Sequence, residues 1–247
     1  DSNEGTYWGA DRALATLSHA VASHVADGGT ILVQDGDTQT GRITLTSAHN
    51  GMTFTIRGKT RGTAAAPTWT WAYAGDGVVY IQPGVAGPPT THWSSGSLTV
   101  LDAHAHGGAG GPSRLVRWAQ PVAKLDEDTQ VIFRDCQLVH PGDYYYTYSC
   151  LLGLEGANGH DTAEDPTVGR KVALIDCELD LADYGTLVYS VSAAEIRLEG
   201  LTGKYTAVTK TWSDDPSEST GRDFIHIEGT LGNFIFDDNT VEMDFTT

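Results

Sequence analysis

The amino-acid sequence predicts an all-β protein, a parallel β-helix of about six coils that forms one domain over residues 1–247. Two observations lead to this prediction. First, pairs of apolar residues separated by a single residue recur along the chain, which is the alternation of a strand with one buried face. Second, the pairs return at steps of 36, 37, 36, 36 and 37 residues. A fixed period of this length with short strands is typical of a solenoid, in which each coil stacks on the previous one.

Two kinds of strand define the repeat. The first kind carries Ile43 and Leu45, and its copies are Val79/Ile81, Val116/Trp118, Leu152/Leu154, Val188 and Ile225/Ile227. The second kind carries Phe54 and Ile56, and its copies are Leu98/Val100, Val131/Phe133, Val172/Leu174, Ile196/Leu198 and Phe234/Phe236. Further apolar positions follow each second strand, and Cys136 and Cys177 occupy the same one in successive coils. Because like side chains stack in a solenoid, we expect these two cysteines to be neighbours.

An amphipathic helix is predicted over residues 10–27, before the first coil. Leu14, Leu17, Val21 and Val25 are spaced by three and four residues, which places them on one helical face. A solenoid needs something other than a further coil to cover its open end. We therefore expect this helix to cap the first coil. Residues 30–33, which follow it, are predicted to be a third kind of strand.

The opening of the chain resembles a known family. The strings DSNEGT, ADRALATLSHAV, GGTILVQDG and FTIRG, all within residues 1–58, together resemble the start of secreted right-handed parallel β-helix proteins of the pectate-lyase-like superfamily. This resemblance implies a right-handed parallel β-helix with an N-terminal capping α-helix, and a polysaccharide or cell-surface glycan as partner. The family includes polysaccharide lyases, hydrolases, phage tailspikes and non-catalytic surface proteins. The catalytic strings Arg-x-Pro-x-x-Arg and Gly-His-Gly do not occur in this chain, so the resemblance implies a fold rather than one mechanism.

Charge and composition exclude several classes of partner. The chain has 32 acidic residues against 15 lysines and arginines, a formal net charge of −17. This charge excludes nucleic acids and anionic membrane surfaces, since both need clustered cations to neutralise phosphate. It also disfavours a polyanionic glycan unless divalent cations bridge the two. The sequence has no apolar run of the roughly 20 residues needed for membrane insertion.

Cysteine usage and the first residue bear on the compartment. Three cysteines are an odd number, so two buried free thiols and a disulfide between Cys136 and Cys177 both stay open. The chain begins at Asp1 without a charged and apolar leader. Such a start fits either a processed mature protein or an excised fragment. Of the two we expect the first, a secreted, extracellular protein from which a signal peptide has been removed.

Alternating aromatic residues are the candidate sugar-binding groups. Trp69, Trp71 and Tyr73 are spaced by two and so face one side of a strand. If that side is exposed it is a platform on which sugar rings stack, and if it is buried it is core. Tyr144 and Tyr146 form a second such group, and Trp212 in an acidic loop is a further candidate.

The acidic loops at residues 157–170 and 204–222 hold the candidate catalytic and metal-binding groups. The acid/base candidates are His160, Arg170 and Lys171. The carboxylates of Asp161, Glu164 and Asp165 are the oxygen ligands that Ca²⁺ prefers, so Ca²⁺ is the predicted cofactor. A lyase needs a cation on the substrate carboxylate and a base for the C5 proton, whereas a glycosidase needs two carboxylates about 5 to 10 Å apart. Sequence spacing leaves both open, beside plain solvated loops.

His104 and His106 form a separate pair in a Gly-rich segment. Imidazole is a ligand type for Zn²⁺ or Cu²⁺. Ala103 and Ala105 take the inward positions of the repeat, so both histidines are expected to face outward. The sequence assures no third ligand.

The last coil is predicted to lack a capping element. The alternation that begins at Phe234 continues through Val241, Met243 and Phe245. An uncapped coil exposes strand edges, so we expect a homo-oligomer or further chain packed on this C-terminal coil. Three functions remain open. They are a polysaccharide lyase-like enzyme, a non-catalytic glycan-binding or adhesive module, and a structural self-assembling protein.

Overall fold

The fold is described from a computed structural model, which describes residues 16–75, 77–81, 93–107, 114–118, 129–140, 150–154, 169–181, 186–208 and 224–246. In these ranges the chain forms three rows of parallel strands around an apolar core. The chain visits the first, second and third row in turn and then returns to the first. This is the cycle of a parallel β-helix, which confirms the predicted solenoid.

The three rows are built as follows. The first row contains β1 (Thr30–Val33), β4 (Met52–Gly58), β7 (Gly96–Leu101), β10 (Thr129–Arg134), β13 (Arg170–Ile175) and the second halves of β15 (Thr186–Glu199) and β17 (Ile225–Asp237). The second row contains β2 (Thr38–Gln39), β5 (Trp69–Tyr73), β8 (Ala103–Gly107), β11 (Gln137–His140), β14 (Glu178–Leu181), β16 (Thr202–Val208) and β18 (Thr240–Thr246). The third row contains β3 (Ile43–Leu45), β6 (Val79–Ile81), β9 (Val116–Trp118), β12 (Cys150–Leu154) and the first halves of β15 and β17.

The predicted register is confirmed in the first and third rows. Ile43 pairs with Val79, and the stack continues through Val116, Leu152, Val188 and Ile225. Phe54 pairs with Leu98, and that stack continues through Val131, Val172, Ile196 and Phe234. Most of these side chains are fully buried, so the apolar alternation of the sequence is the inward half of each strand.

The cysteine stack is also confirmed. Gln137 pairs with Glu178, which places the preceding residues Cys136 and Cys177 in neighbouring coils. Both are buried, and all three cysteines of the chain are free thiols. Of the two alternatives, the structure therefore has reduced thiols. Burial raises the pKa of the Cys136 thiol well above its ordinary value, which keeps this group uncharged in the core.

Aspartates make the corner between the first and second rows. Asp102, Asp135, Asp176 and Asp238 have φ of 60, 53, 51 and 51°, and Gly200 takes the same place with φ 64°. Asp tolerates this left-handed conformation better than most residues with a side chain. One left-handed residue turns the chain sharply, so the connection from the first to the second row takes one or two residues from β7 onward.

The first corner aspartate is held by a cation. Arg61 Nε lies 3.3 Å from Asp102 Oδ2, and Arg61 Nη2 lies 3.1 Å from Asp135 Oδ2. Asp102 has no exposed surface. Burial raises the pKa of its carboxyl, and the positive charge of Arg61 opposes that rise.

Three local predictions need correction. The described helix α1 (Leu17–His24) begins at Leu17, because Thr16 is extended and its hydroxyl accepts a hydrogen bond from the His19 amide. Residues 10–15 of the predicted helix lie outside the described residues. Residues 30–33 are not a third kind of strand, since β1 pairs with β4 in the first row. The predicted helix also ends at His24 rather than at residue 27.

The two ends of the described solenoid differ. Leu17 and Val21 of α1 are buried in the main core, beside β3. At the other end, the side chains of Ile227, Phe234, Phe236 and Met243 are exposed. In the described part of the chain, no helix has the length and apolar character to cross a bilayer.

Candidate functional site

The outer face of the third row carries the candidate site. Its register-paired outer residues are Thr44, Tyr80, Arg117, Gly153, Tyr189 and His226. They lie between the inward residues that define the repeat, one in each strand. Adjacent strands are about 4.7–4.9 Å apart, so these residues form one continuous ladder. We call it the Tyr-Arg face.

The connections to and from several third-row strands are long in sequence. Residues 82–95 and 155–169 lead away from third-row strands, and residues 108–115, 141–149 and 209–224 lead into them. The other corner, between the first and second rows, is mostly one or two residues long. Functional groups of a solenoid concentrate where its insertions emerge. Most of the long connections therefore adjoin third-row strands in sequence.

One end of the Tyr-Arg face is a cluster of arginines and tyrosines. The guanidinium carbon of Arg42 lies 4.6 Å from the ring centroid of Tyr80 and 5.9 Å from that of Tyr73. Arg117 approaches the Tyr80 ring at 5.6 Å. Cation–π contacts of this kind hold a guanidinium in place. Arg42 and Arg117 thus bracket a half-buried tyrosine ring, with a second half-buried ring alongside.

In the middle of the face the ladder residue is Gly153, which has no side chain of its own. A Cβ built on Gly153 would lie 2.8 Å from Arg114 Cδ and 3.3 Å from Cys150 Sγ. Any larger residue at Gly153 would therefore displace the Arg114 side chain, which is only 5% exposed. Because residue 153 is glycine, the side chain of Arg114 packs directly against the backbone of β12.

The far end of the face is an aromatic pair. The rings of Tyr189 and His226 are stacked, with centroids 5.4 Å apart and planes 17° apart. Tyr189 is only 1% exposed and forms with Cys150 a small buried cluster separate from the main core. A phenol and an imidazole are both capable of proton transfer. The face therefore combines cations, ring surfaces and candidate acid/base groups along one line.

The described residues of this face include three arginines. Arg42, Arg114 and Arg117 all lie at or beside this face, in a protein whose formal net charge is −17. Guanidinium is the side-chain group best matched to carboxylate and sulfate, because it donates two parallel hydrogen bonds. The arrangement is chemically suited to an anionic ligand with flat apolar surfaces.

Of the predicted catalytic residues, the structure describes Arg170 and Lys171. Arg170 is fully buried, and its Nη1 donates a hydrogen bond to the carbonyl oxygen of Trp118 at 3.2 Å. Lys171 is the next residue of β13 and is half-buried on the opposite side of the strand. Both belong to the first row, although the Arg170 guanidinium reaches the end of β9 in the third row. His160, the third candidate, lies outside the described residues.

The predicted sugar-binding residues have different locations. Trp69 and Trp71 are 2% and 0% exposed, and their indole nitrogens donate to the carbonyl oxygens of Leu101 and Gly41 at 3.0 and 2.7 Å. Of the two alternatives for this strand, these rings take the core. Tyr73 is half-buried and reaches the Arg42 side chain. The remaining candidates, Tyr144, Tyr146 and Trp212, lie outside the described residues.

The predicted Ca²⁺ ligands also fall outside the described residues. They are Asp161, Glu164 and Asp165. Within the ranges that the structure describes, no three His, Cys, Asp or Glu side chains converge as metal ligands.

The Tyr-Arg face was missed by the sequence analysis, although its signal is present. Each first-kind strand was used only for its two apolar residues. The residue between them reads Thr44, Tyr80, Arg117, Gly153, Tyr189 and His226 through the repeat. Reading this middle position down the stack would have found the face.

Comparison of the chain with protein-family models, with curated proteins and with solved structures finds no match.

Proposed function

We propose that this chain is an extracellular carbohydrate-binding β-helix protein whose binding surface is the Tyr-Arg face. The observation behind this proposal is the contact of Arg42 and Arg117 with the half-buried ring of Tyr80 on one outer row. Aromatic rings offer stacking surface to sugar rings, and guanidinium groups pair with carboxylates. A polysaccharide that carries uronic acids matches both.

The overall acidity of the chain restricts where such a ligand binds. A charge of −17 repels a polyanion from most of the surface. The attraction of Arg42 and Arg117 for a carboxylate acts within about one Debye length, roughly 8–10 Å. These arginines are the proposed contact for an acidic glycan. Bridging by Ca²⁺ through Asp161, Glu164 and Asp165 remains the predicted alternative route for the same class of ligand.

Polysaccharide lysis is the enzymatic form of this proposal. A lyase removes the C5 proton of a uronate and breaks the C4–O bond, leaving a C4–C5 double bond and a new hydroxyl on the leaving sugar. Arg117 is suited to neutralise the substrate carboxylate, which acidifies the C5 proton. His226, which is half-buried and stacks on the buried Tyr189, is the candidate to take that proton and to return one to the leaving oxygen.

The first experiment measures binding of uronate and neutral oligosaccharides by calorimetry. Wild-type protein is expected to bind an oligouronate and to bind its neutral analogue at least about tenfold more weakly, a difference of 1.4 kcal/mol or more. Arg117→Gln is expected to lose a similar factor. Arg197→Gln is the matched control, since Arg197 is an arginine on the first row that pairs with Glu199. Equal losses in both variants, or no binding of any uronate, would contradict the proposal.

A second experiment separates lysis from binding. Absorbance of unsaturated products and a reducing-end assay are followed with wild type and with His226→Gln. Lysis predicts product absorbance that falls in the variant while oligouronate affinity is retained. If the wild-type protein binds without forming product, the protein is a non-catalytic glycan-binding or adhesive module.

Self-assembly is the second candidate function. Its supporting observation is the exposure of Ile227, Phe234, Phe236 and Met243, which continue inward stacks of the core. Exposed apolar surface of this kind favours contact with another protein surface. A second copy of the chain is the proposed partner. Light scattering should then give a multiple of 26.3 kDa, and Phe236→Lys should return the monomer mass.

The superfamily, the number and hand of the coils and the role of α1 are also proposals. We place the chain in the pectate-lyase-like superfamily, with six coils of right-handed winding and with α1 as the cap of the first coil. Right-handed connections between parallel strands of one sheet are by far the commoner hand. Secretion is proposed on the same resemblance.

A further inference from the structure

His104 and His106 lie on the outer face of β8 in the second row. Their rings are 5.7 Å apart between centroids. The alternate residues Ala103 and Ala105 are fully buried, so the strand turns both imidazoles to the same outer side. Both histidine side chains are half-buried, which restricts their conformations before any ligand binds.

The strand neighbours of the two histidines are uncharged. His104 pairs with Thr70 and Gln137, and His106 pairs with Ala72 and Val139. A lysine or arginine at any of these positions would repel a metal ion directly. The neighbouring strands instead leave short or neutral side chains beside the imidazoles.

Acidic residues lie one strand further along the same face. Glu178 pairs with Gln137, and Asp180 pairs with Val139. Two strand spacings of about 4.7–4.9 Å separate these carboxylates from the histidines. This distance is too long for shared coordination, but within the range over which charge acts in solution. The local field and the net charge of −17 both favour a cation here.

We propose that His104 and His106 bind one divalent transition-metal ion of the class Zn²⁺, Ni²⁺ or Cu²⁺. Two imidazoles on one tetrahedral ion, each with a metal–nitrogen distance of about 2.0–2.1 Å, have ring centroids roughly 5 Å apart. The observed 5.7 Å requires only a small rotation of the side chains. These ions accept imidazole nitrogen, whereas Ca²⁺ and Mg²⁺ prefer oxygen ligands.

In the described ranges no third His, Cys, Asp or Glu side chain joins a metal-binding cluster. The two imidazoles are therefore the ligands that the described residues supply. The site lies on the second row, so it is separate from the Tyr-Arg face of the third row and independent of the proposed glycan binding.

The test is calorimetry with Zn²⁺, and with Ca²⁺ as the comparison ion, on the whole chain. Wild type is expected to bind one Zn²⁺ at this site and to bind Ca²⁺ much more weakly there. His104→Gln and His106→Gln are each expected to reduce Zn²⁺ affinity by at least about tenfold, because a single imidazole loses chelation. Circular dichroism checks that each variant remains folded.

A second histidine pair supplies the control. The exposed rings of His19 and His24 on α1 have centroids 5.3 Å apart, so they are a second imidazole pair of similar spacing. The double variant His19→Gln/His24→Gln should leave the Zn²⁺ affinity of the β8 site unchanged. Loss of binding in this control with retention in His104→Gln would overturn the proposal, as would the absence of Zn²⁺ binding to wild type. Zn²⁺-dependent shifts of both imidazole signals in NMR would support it directly.

Discussion

A buried histidine should make the stability of the protein depend on pH. His140 ends β11, beside Leu181 of the next coil, and its side chain has no exposed surface. Burial lowers the pKa of its imidazole to about 4. In the unfolded chain the same group has a pKa of about 6.5. Folding therefore favours the neutral imidazole.

The sign and the size follow from this difference. Above about pH 6.5 the imidazole is neutral in both states and has no effect on the pH dependence. Between about pH 6.5 and 4 the unfolded chain binds a proton that the folded protein does not, so stability falls as the pH falls. A shift of about 2.5 pH units, at about 1.36 kcal/mol per unit, corresponds to a loss of roughly 3 kcal/mol by pH 4.

The assay is urea denaturation at several pH values with wild type, His140→Leu and His140→Gln. Other groups titrate in the same range, so the informative quantity is the variant free energy of unfolding minus that of wild type. This difference is expected to rise by roughly 3 kcal/mol from pH 7 to pH 4 in both variants. A difference that stays constant with pH in both would refute the assignment of His140 as a neutral core residue.

Three further predictions concern the core and the corners. Trp69→Phe loses the bond to Leu101 and some core volume, so the free energy of unfolding should fall by about 1–3 kcal/mol in urea titrations, while oligouronate affinity stays unchanged. The three cysteines should give no reaction with a thiol reagent in the folded protein and three equivalents after unfolding, because all are free and buried. Gly200→Ala should destabilise by about 1–2 kcal/mol, since its φ is 64° and its Cβ would meet Asp176 Oδ1 at 2.5 Å. Asp238→Gly, the matched change at φ 51°, should stay within about 1 kcal/mol of wild type by thermal denaturation; a larger loss there would contradict the corner account.

The register of the solenoid could be predicted because it is set by the side chains that face the core. Ile43 and Val79 are both apolar because they are register partners in neighbouring coils and both face the same buried core. The second row was harder to recognise at its start. Thr38–Gln39 is a two-residue strand without apolar alternation, and the Trp69–Tyr73 strand alone did not reveal that it belonged to a row.

The candidate site was predicted less well, for a physical reason. Outer residues have no common polarity, so Tyr80, Arg117 and Gly153 give no periodic signal until the inner register is known. The acidic loops were chosen as the candidate site because charged residues are easily recognised in a sequence. The sequence did not show that Arg170 and Lys171 would lie on opposite sides of one strand. The corner aspartates were likewise not recognised as turn residues, because their left-handed φ is a property of the backbone.

The stacking of successive coils in register is tested most directly by one cross-linking measurement. Thr202 and Thr240 are exposed register partners on β16 and β18. Their Cα atoms should lie about 4.7–4.9 Å apart, within the range of a disulfide. Under oxidation, Thr202→Cys/Thr240→Cys should form an intramolecular disulfide in high yield, and Thr202→Cys/Glu242→Cys, displaced by two residues, should form little. Equal yields in the two variants, or a preference for the displaced pair, would contradict the stacking on which the Tyr-Arg face is built.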